Sequence, residues 1–307
     1  MKIGVAGTGR MGTAIVQRLI KCGHEVRVWN RTGDNALAAR AAGAAWAPTL
    51  AELVNDSQVV ISFLLDNAAV EHVYLGTDGM LAGQVEGRLF IDMSTVSPET
   101  HGRIAPVMAL RQAGFIECPV SGSTGAAQAG NLVGFAGGAE TDFARAQPLL
   151  AQLCRRIEHV GPLGAGSRMK LAANLLLVVF WQALGEALLL ADSPATDASR
   201  AIDLLADSNI GAAILRVRGS QIVAAMNGAA LGTPAFDVDT MRKDLRYMAR
   251  EATAAGISLA LVERALECFD RASREGMGAL DSVAYPAYLI NQQRRVARPL
   301  GGGPAPQ

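Results

Sequence analysis

The run Gly7-Thr8-Gly9-Arg10-Met11-Gly12 has the residue types and spacing that bind a pyrophosphate. It follows directly on an apolar stretch, residues 3–6, and opens an amphipathic stretch that ends near Gly23. In a strand-turn-helix of this kind the first two glycines permit a tight turn and a close backbone approach to the anion. The third lets the helix pack on the strand, and amides at the helix start face the phosphates. Gly7, Thr8, Gly9, Arg10, Met11 and Gly12 are therefore the expected phosphate-side contacts of a dinucleotide. About 20 positions further on, where the adenosine ribose is gripped, the chain reads Asn30-Arg31-Thr32. A carboxylate there would accept from a free 2′-hydroxyl and repel a 2′-phosphate, whereas a guanidinium holds the phosphate through paired charge-assisted bonds. The expected cofactor is NADP(H) in preference to NAD(H), with Asp34 the nearby charge that opposes it.

The elements that must position this turn can be read from hydrophobic pattern. Short apolar runs at residues 3–6, 26–29, 59–64, 89–93, 115–118, 132–135 and 157–160 alternate with helical stretches, as a parallel sheet with crossover helices requires. Thr49 with Glu52 forms a capping box, and Ser97-Pro98 places a cap before a helix-starting proline. From about Gly166 every periodic segment reads as helix. The expected fold is α/β: a doubly wound Rossmann sheet over 1–163, then an all-α domain over 164–293, then a mobile tail over 294–307. Residues 169–191 are apolar on nearly every face. A helix tolerates that only when buried on all sides, so we expect it to join the domains and pack against a partner subunit, as a homodimer or homotetramer.

Composition limits the partners. Of 307 residues 50% are apolar and 18% charged, with 28 basic residues balancing 28 acidic ones. A formal net charge of zero gives no field to hold nucleic acid. The longest unbroken apolar run, residues 175–181, falls short of the ~18 that span a bilayer, so no membrane is expected. Cys22, Cys118, Cys154 and Cys268 lie far apart, which fits reduced thiols in a cytosol. No leader precedes the first strand, and a cytoplasmic location is expected. His24, His72, His101 and His159 have no ligand spacing, so no metal is expected. Asp66, Asp237, Asp239, Asp244 and Asp281 read as surface charges or helix caps.

Two further motifs carry a resemblance. Glu117-Cys118-Pro119-Val120-Ser121-Gly122-Ser123-Thr124-Gly125-Ala126-Ala127-Gln128-Ala129-Gly130, followed by Gly137-Gly138, resembles the substrate-binding signature of the β-hydroxyacid dehydrogenases. Gly164-Ala165-Gly166-Ser167-Arg168-Met169-Lys170-Leu171-Ala172-Ala173-Asn174 is similar to their catalytic signature, and residues 236–245 extend the likeness nearly to the end of the chain. The resemblance implies a 6-phosphogluconate dehydrogenase-like fold and hydride transfer between a nicotinamide and a small carboxylic acid substrate. It implies Lys170 as the catalytic lysine, Asn174 as a substrate-orienting amide, and Ser121, Gly122 and Ser123 as holders of the substrate carboxylate. It further implies that Thr95, Leu64 and Leu65 line the nicotinamide and that Lys243 reaches the site from the helical domain.

Elementary chemistry agrees with the lysine's role. Negative charge develops on a carbonyl oxygen as its carbon takes hydride, and an ammonium group stabilises that charge and donates the proton. Lys170 sits among Met169, Leu171, Ala172 and Ala173, where its head must be desolvated or matched to an anion. Asn174 follows four residues later and shares its helix face. The sequence departs from the family pattern at Glu117-Cys118, Ser123, Ala173 and Leu65, which bears on the identity of the substrate. Cys118 has no histidine near it in sequence and reads as a small core residue. Two rival readings remain: an imine reductase, which shares Asn-Arg-Thr but generally places aspartate or tyrosine where Lys170 stands, and a non-catalytic dinucleotide-binding module, which would lack the lysine.

Overall fold

The computed structural model describes residues 1–191, 197–208 and 213–297, with side chains of the last helix described through residue 293. The elements of the first half are β1 (Lys2–Ala6), α1 (Arg10–Lys21), β2 (Glu25–Trp29), α2 (Leu37–Ala41), β3 (Ala45–Trp46), α3 (Leu50–Asn55), β4 (Val59–Ser62) and α4 (Asn67–Leu75). They continue as β5 (Leu89–Asp92), α5 (Pro98–Leu110), β6 (Gly114–Glu117), β7 (Val120–Ser121), α6 (Thr124–Ala129), β8 (Leu132–Gly138), α7 (Glu140–Leu153) and β9 (Cys154–Gly161). The helical remainder is α8 (Ala165–Leu190), α9 (Ala198–Asp207), α10 (Ala213–Met226), α11 (Val238–Ala255), α12 (Ala260–Ala272) and α13 (Tyr285–Ala297). The chain divides into two compact units, Met1–Ala173 and Asn174–Gln307, the division falling inside α8.

In the first unit the strands run β3-β2-β1-β4-β5-β6 in parallel, the order of a doubly wound dinucleotide-binding sheet. Both faces are covered, so alternate residues of one strand enter different cores. Ile3 and Val5 of β1, Val59 and Ile61 of β4 and Leu89 and Ile91 of β5 pack with Ile15, Leu19, Leu149 and Leu150. Val60 and Phe90 turn the other way, onto Leu53, Val70, Tyr74, Ile104 and Met108. This two-sided burial is why the strands read as unbroken apolar runs. The sheet is not parallel throughout, however. β8 runs antiparallel to β6 and to β7, and β9 pairs beside it in parallel with β8. Pattern alone carries no strand direction, and the two-residue strands β3 and β7 are too short to show a period.

The caps are half as expected. Thr49 Oγ1 accepts from the Glu52 amide at 3.1 Å and donates to the Glu52 carboxylate at 3.0 Å. Ser97 stands at the start of α5, but its side chain does not cap it. Its hydroxyl accepts instead from Asn67 Nδ2 at 2.8 Å.

Helix α8 bears on two expectations. Among the described residues it is the one helix that is long and apolar enough, by length and composition, to cross a bilayer. The short unbroken run had hidden this, because a span tolerates interruptions such as Gln182 and Glu186. Within the single chain Leu171, Val178, Trp181, Leu184 and Leu188 are buried, while Met169, Leu176 and Leu190 are exposed; the remaining burial expected of this helix involves a second chain. In the second unit α9 packs on α10 and α11 on α12, and Phe269 stacks on Tyr285 with ring centroids 4.1 Å apart. Residues 294–297 of the expected tail belong to α13, which runs to Ala297; the rest of that expected segment, residues 298–307, lies outside the described residues.

Candidate active site

The glycine turn joins β1 to α1 at the carboxyl edge of the sheet, at the reversal of strand order between β1 and β4. Gly7 donates its amide to Trp29 O at 2.9 Å. A Cβ on Gly12 would lie 1.9 Å from Gly7 O, so only glycine fits there. A Cβ on Gly9 would meet nothing within 4 Å. No side chain caps α1 at Gly9, and the buried Thr8 Oγ1 has no hydrogen-bond partner. A helix start with no side-chain cap, open space above Gly9 and a buried Thr8 hydroxyl fit the pyrophosphate of a dinucleotide.

At the end of β2, Asn30 is a fastener. Its Oδ1 accepts from the Thr8 amide at 3.1 Å and its Nδ2 donates to Thr32 O at 2.8 Å. This locks the turn after β2 to the glycine turn and leaves the exposed Arg31 beside it. Leu64, Leu65 and Thr95 follow β4 and β5 at the same edge. The Leu64 amide donates to Ser94 Oγ at 2.8 Å, which ties the two loops together; Leu65 is 66% exposed.

Ser121, Gly122 and Ser123 lie at the end of β7, with Gly122 in a left-handed conformation at φ +144°. Ser123 is the N-cap of α6, its Oγ accepting from the Ala126 amide at 3.3 Å. Cys118 is a core residue as expected. Burial pushes its thiol well up, with Cys154 and Glu117 adding to the effect, which leaves no thiolate for nucleophilic chemistry.

Lys170 is partly buried on the second turn of α8, and the start of that helix is tied to the sheet. Glu117, at the end of β6, accepts from the amides of Gly164 at 2.5 Å, Gly166 at 2.9 Å and Ser167 at 3.2 Å, and from Ser167 Oγ at 2.5 Å. In the second unit the Asn174 Nδ2 donates to Asp244 Oδ2 at 2.7 Å. Lys243 Nζ lies 3.2 Å from Asp244 Oδ1, an ion-pairing distance at which the angle forms no hydrogen bond, and 5.3 Å from the Tyr247 ring centroid.

The fold therefore gathers residues 7–12, 30–32, 64–65 and 95 on one edge of the sheet, and brings Asn174 and Lys243 together on one carboxylate. Two buried polar groups near these residues are not legible as such in the sequence. Asp244 is only 1% exposed, so it is neither a surface charge nor a cap; its place directly after Lys243 was the available signal. His101 is fully buried between two carboxylates, although its sequence neighbours suggest nothing. Asp66 and Asp237 are caps as expected, accepting from Ala69 and Thr240 amides at 2.8 Å each. Asp281 is buried and pairs with Arg218 at 2.9 Å.

Comparison with known proteins agrees with this geometry. A family model described as the NAD binding domain of 6-phosphogluconate dehydrogenase matches residues 2–161. A second, described as the NAD-binding of NADP-dependent 3-hydroxyisobutyrate dehydrogenase, matches residues 164–289. Glyoxylate/succinic semialdehyde reductase 1 of Arabidopsis thaliana is 31% identical over 92% of this chain and 96% of its own. The 3-hydroxyisobutyrate dehydrogenase of Pseudomonas aeruginosa is 34% identical over 84% and 88%. The solved 3-hydroxyisobutyrate dehydrogenase of Mycobacterium tuberculosis with L-serine superposes with a TM-score of 0.80 at 28% identity, over 94% of this chain and 98% of that one. A nicotinamide dinucleotide turn, a helix-borne lysine and whole-length likeness to hydroxyacid enzymes place this chain in the β-hydroxyacid dehydrogenase family of NAD(P)-dependent oxidoreductases.

Proposed function

We propose that the protein is an NADP(H)-preferring dehydrogenase or reductase that interconverts a small 3-hydroxy acid, or a related 2-hydroxy acid, with its semialdehyde or keto form. The observation that carries this reading is Lys170, one turn beyond helix-start amides that Glu117 holds at the same sheet edge as the glycine turn. When bound, the nicotinamide supplies or accepts the hydride. Lys170 as an ammonium stabilises the developing oxyanion and donates its proton to that oxygen; as an amine it takes the proton back in the reverse direction. Asn174, one turn along α8 and oriented by Asp244, directs the substrate's oxygen. Ser121, Gly122 and Ser123 hold the carboxylate, Thr95, Leu64 and Leu65 line the nicotinamide, and Lys243 adds positive charge.

The NADP preference rests on the exposed Arg31 and the absence of a carboxylate at residues 30–32, Asn30 being held in the turn by its own hydrogen bonds. Dimerisation through α8 is supported by the exposed Met169, Leu176 and Leu190, spaced in sevens and so on one face of the helix.

The test is a panel of glyoxylate, succinic semialdehyde, methylmalonate semialdehyde and a cyclic imine, assayed with NADPH and NADH. Turnover of at least one carboxylate-bearing aldehyde or keto acid, faster with NADPH, is the expected outcome. Reduction of the imine alone would assign the protein to the rival chemistry.

A further inference from the structure

The amino end of α8 is held by a buried polar chain that the proposed reaction does not itself use. His101 of α5 has Nε2 2.7 Å from Asp92 Oδ2 and Nδ1 2.7 Å from Glu117 Oε2, with all three side chains fully buried. Ser167 Oγ lies 3.2 Å from His101 Nδ1 as well as on Glu117. At the far end Asp92 Oδ1 accepts from Ser62 Oγ at 2.6 Å and Ser94 Oγ at 2.7 Å, and Ser62 lies 2.8 Å from the Tyr74 hydroxyl. The ends of β4, β5 and β6, with α4 and α5, are thus wired to the first turn of α8. The contact is close: a Cβ on Gly166 would lie 2.4 Å from Phe135 O and 3.2 Å from the Glu117 carboxyl carbon.

Burying two carboxylates and an imidazole is a poor route to stability, because apolar residues of the same volume commonly serve as well or better. What such a chain provides is register. Glu117 satisfies amides that a helix start leaves without partners and places negative charge at the positive end of the helix dipole. Lys170 follows Ser167 by three residues and Gly166 by four, so it rises from the face that Glu117 grips.

We propose that Asp92, His101, Glu117 and Ser167 act as positioning residues that set the height and rotation of α8, and so place the Lys170 ammonium at the sheet's carboxyl edge. This rests on the reading of Lys170 as the proton donor. His101, with both ring nitrogens on carboxylate oxygens, is the central link; the two carboxylates and the Ser167 hydroxyl are the polar groups that face it, and the Phe115 ring packs beside it at 5.8 Å between centroids.

The experiment compares Ser167→Ala, Glu117→Gln and Lys170→Ala, alone and with Ser167→Ala combined with Lys170→Ala, in the full-length protein. NADPH oxidation is followed with whichever aldehyde of the panel is turned over. Ser167→Ala keeps every backbone bond and is a favourable helix substitution, so it folds even if Glu117→Gln does not. A displacement of about 1 Å at a reacting group costs up to ~100-fold. Ser167→Ala is therefore expected to lower kcat by about 10-fold or more, with KM for NADPH and for the aldehyde nearly unchanged. The loss should disappear when Lys170 is already alanine. An unchanged kcat in folded Ser167→Ala, or the same loss on the Lys170→Ala background, overturns the positioning role. Near-normal turnover of Lys170→Ala overturns instead the assignment of the lysine.

Discussion

Raising the pH should loosen the buried chain, and the effect can be sized. The imidazole of His101 would lose basicity through burial, but hydrogen bonds to Asp92 and then Glu117 outweigh that and raise it from 6.5 to about 9. The imidazolium can donate from both nitrogens, whereas neutral imidazole can serve only one of the two carboxylates. Because the folded value lies above the unfolded one, the stabilisation is fully present below pH 6.5 and is lost as the pH rises through about 9. Over that interval it amounts to at most about 3 kcal/mol. With a urea dependence of about 3 kcal/mol per molar, the unfolding midpoint of the amino-terminal unit should fall by up to about 1 M between pH 6.5 and 9.5.

The assay is urea unfolding at a series of pH values for the native protein and for His101→Gln, which has no titrating ring. Burial of Cys118 and Tyr74, and of Cys154, whose thiol is pushed up to about 12, also costs stability in alkali. Those losses are common to both proteins, so the difference between the two curves isolates His101. Parallel curves from pH 6.5 to 9.5 would refute the charged-imidazole account.

Three further outcomes follow from the site. Lys170→Ala should lower turnover by about 10²–10⁴-fold, with NADPH affinity by fluorescence titration nearly unchanged; a collapse of cofactor affinity would instead assign the lysine to binding. Arg31→Ala should weaken NADPH much more than NADH in the same titration, if the guanidinium holds the 2′-phosphate as proposed; equal losses would contradict 2′-phosphate recognition. Light scattering should report a dimer or larger assembly, and Leu176→Glu, which puts a charge on the exposed face of α8, should dissociate it; a native protein that scatters as a monomer removes the interface.

Much of this was legible in the chain order. The glycine turn, the apolar runs and the cap at Thr49 are local patterns, set within a few residues, and each has its expected structure. The same holds for the change to helices after Gly166. Strand direction at β8 was not legible, since alternation is the same for parallel and antiparallel pairing. The exposed stripe of α8 was hidden because composition records how apolar a helix is, not which side meets other atoms.

Within the site, sequence by itself singled out the groups proposed for the chemistry: the turn at residues 7–12, Arg31 and Lys170. Only the tertiary structure decided how they are held. His101, Asp92 and Glu117 are separated by 9 and 16 to 25 residues yet share one buried chain, and Asn174 finds Asp244 across 70 residues. Hydrogen bonds between distant segments have no period and no local composition. They exist because the sheet brings strand ends together in the first unit and helix packing brings α8 and α11 together in the second, where a buried polar group must find a partner.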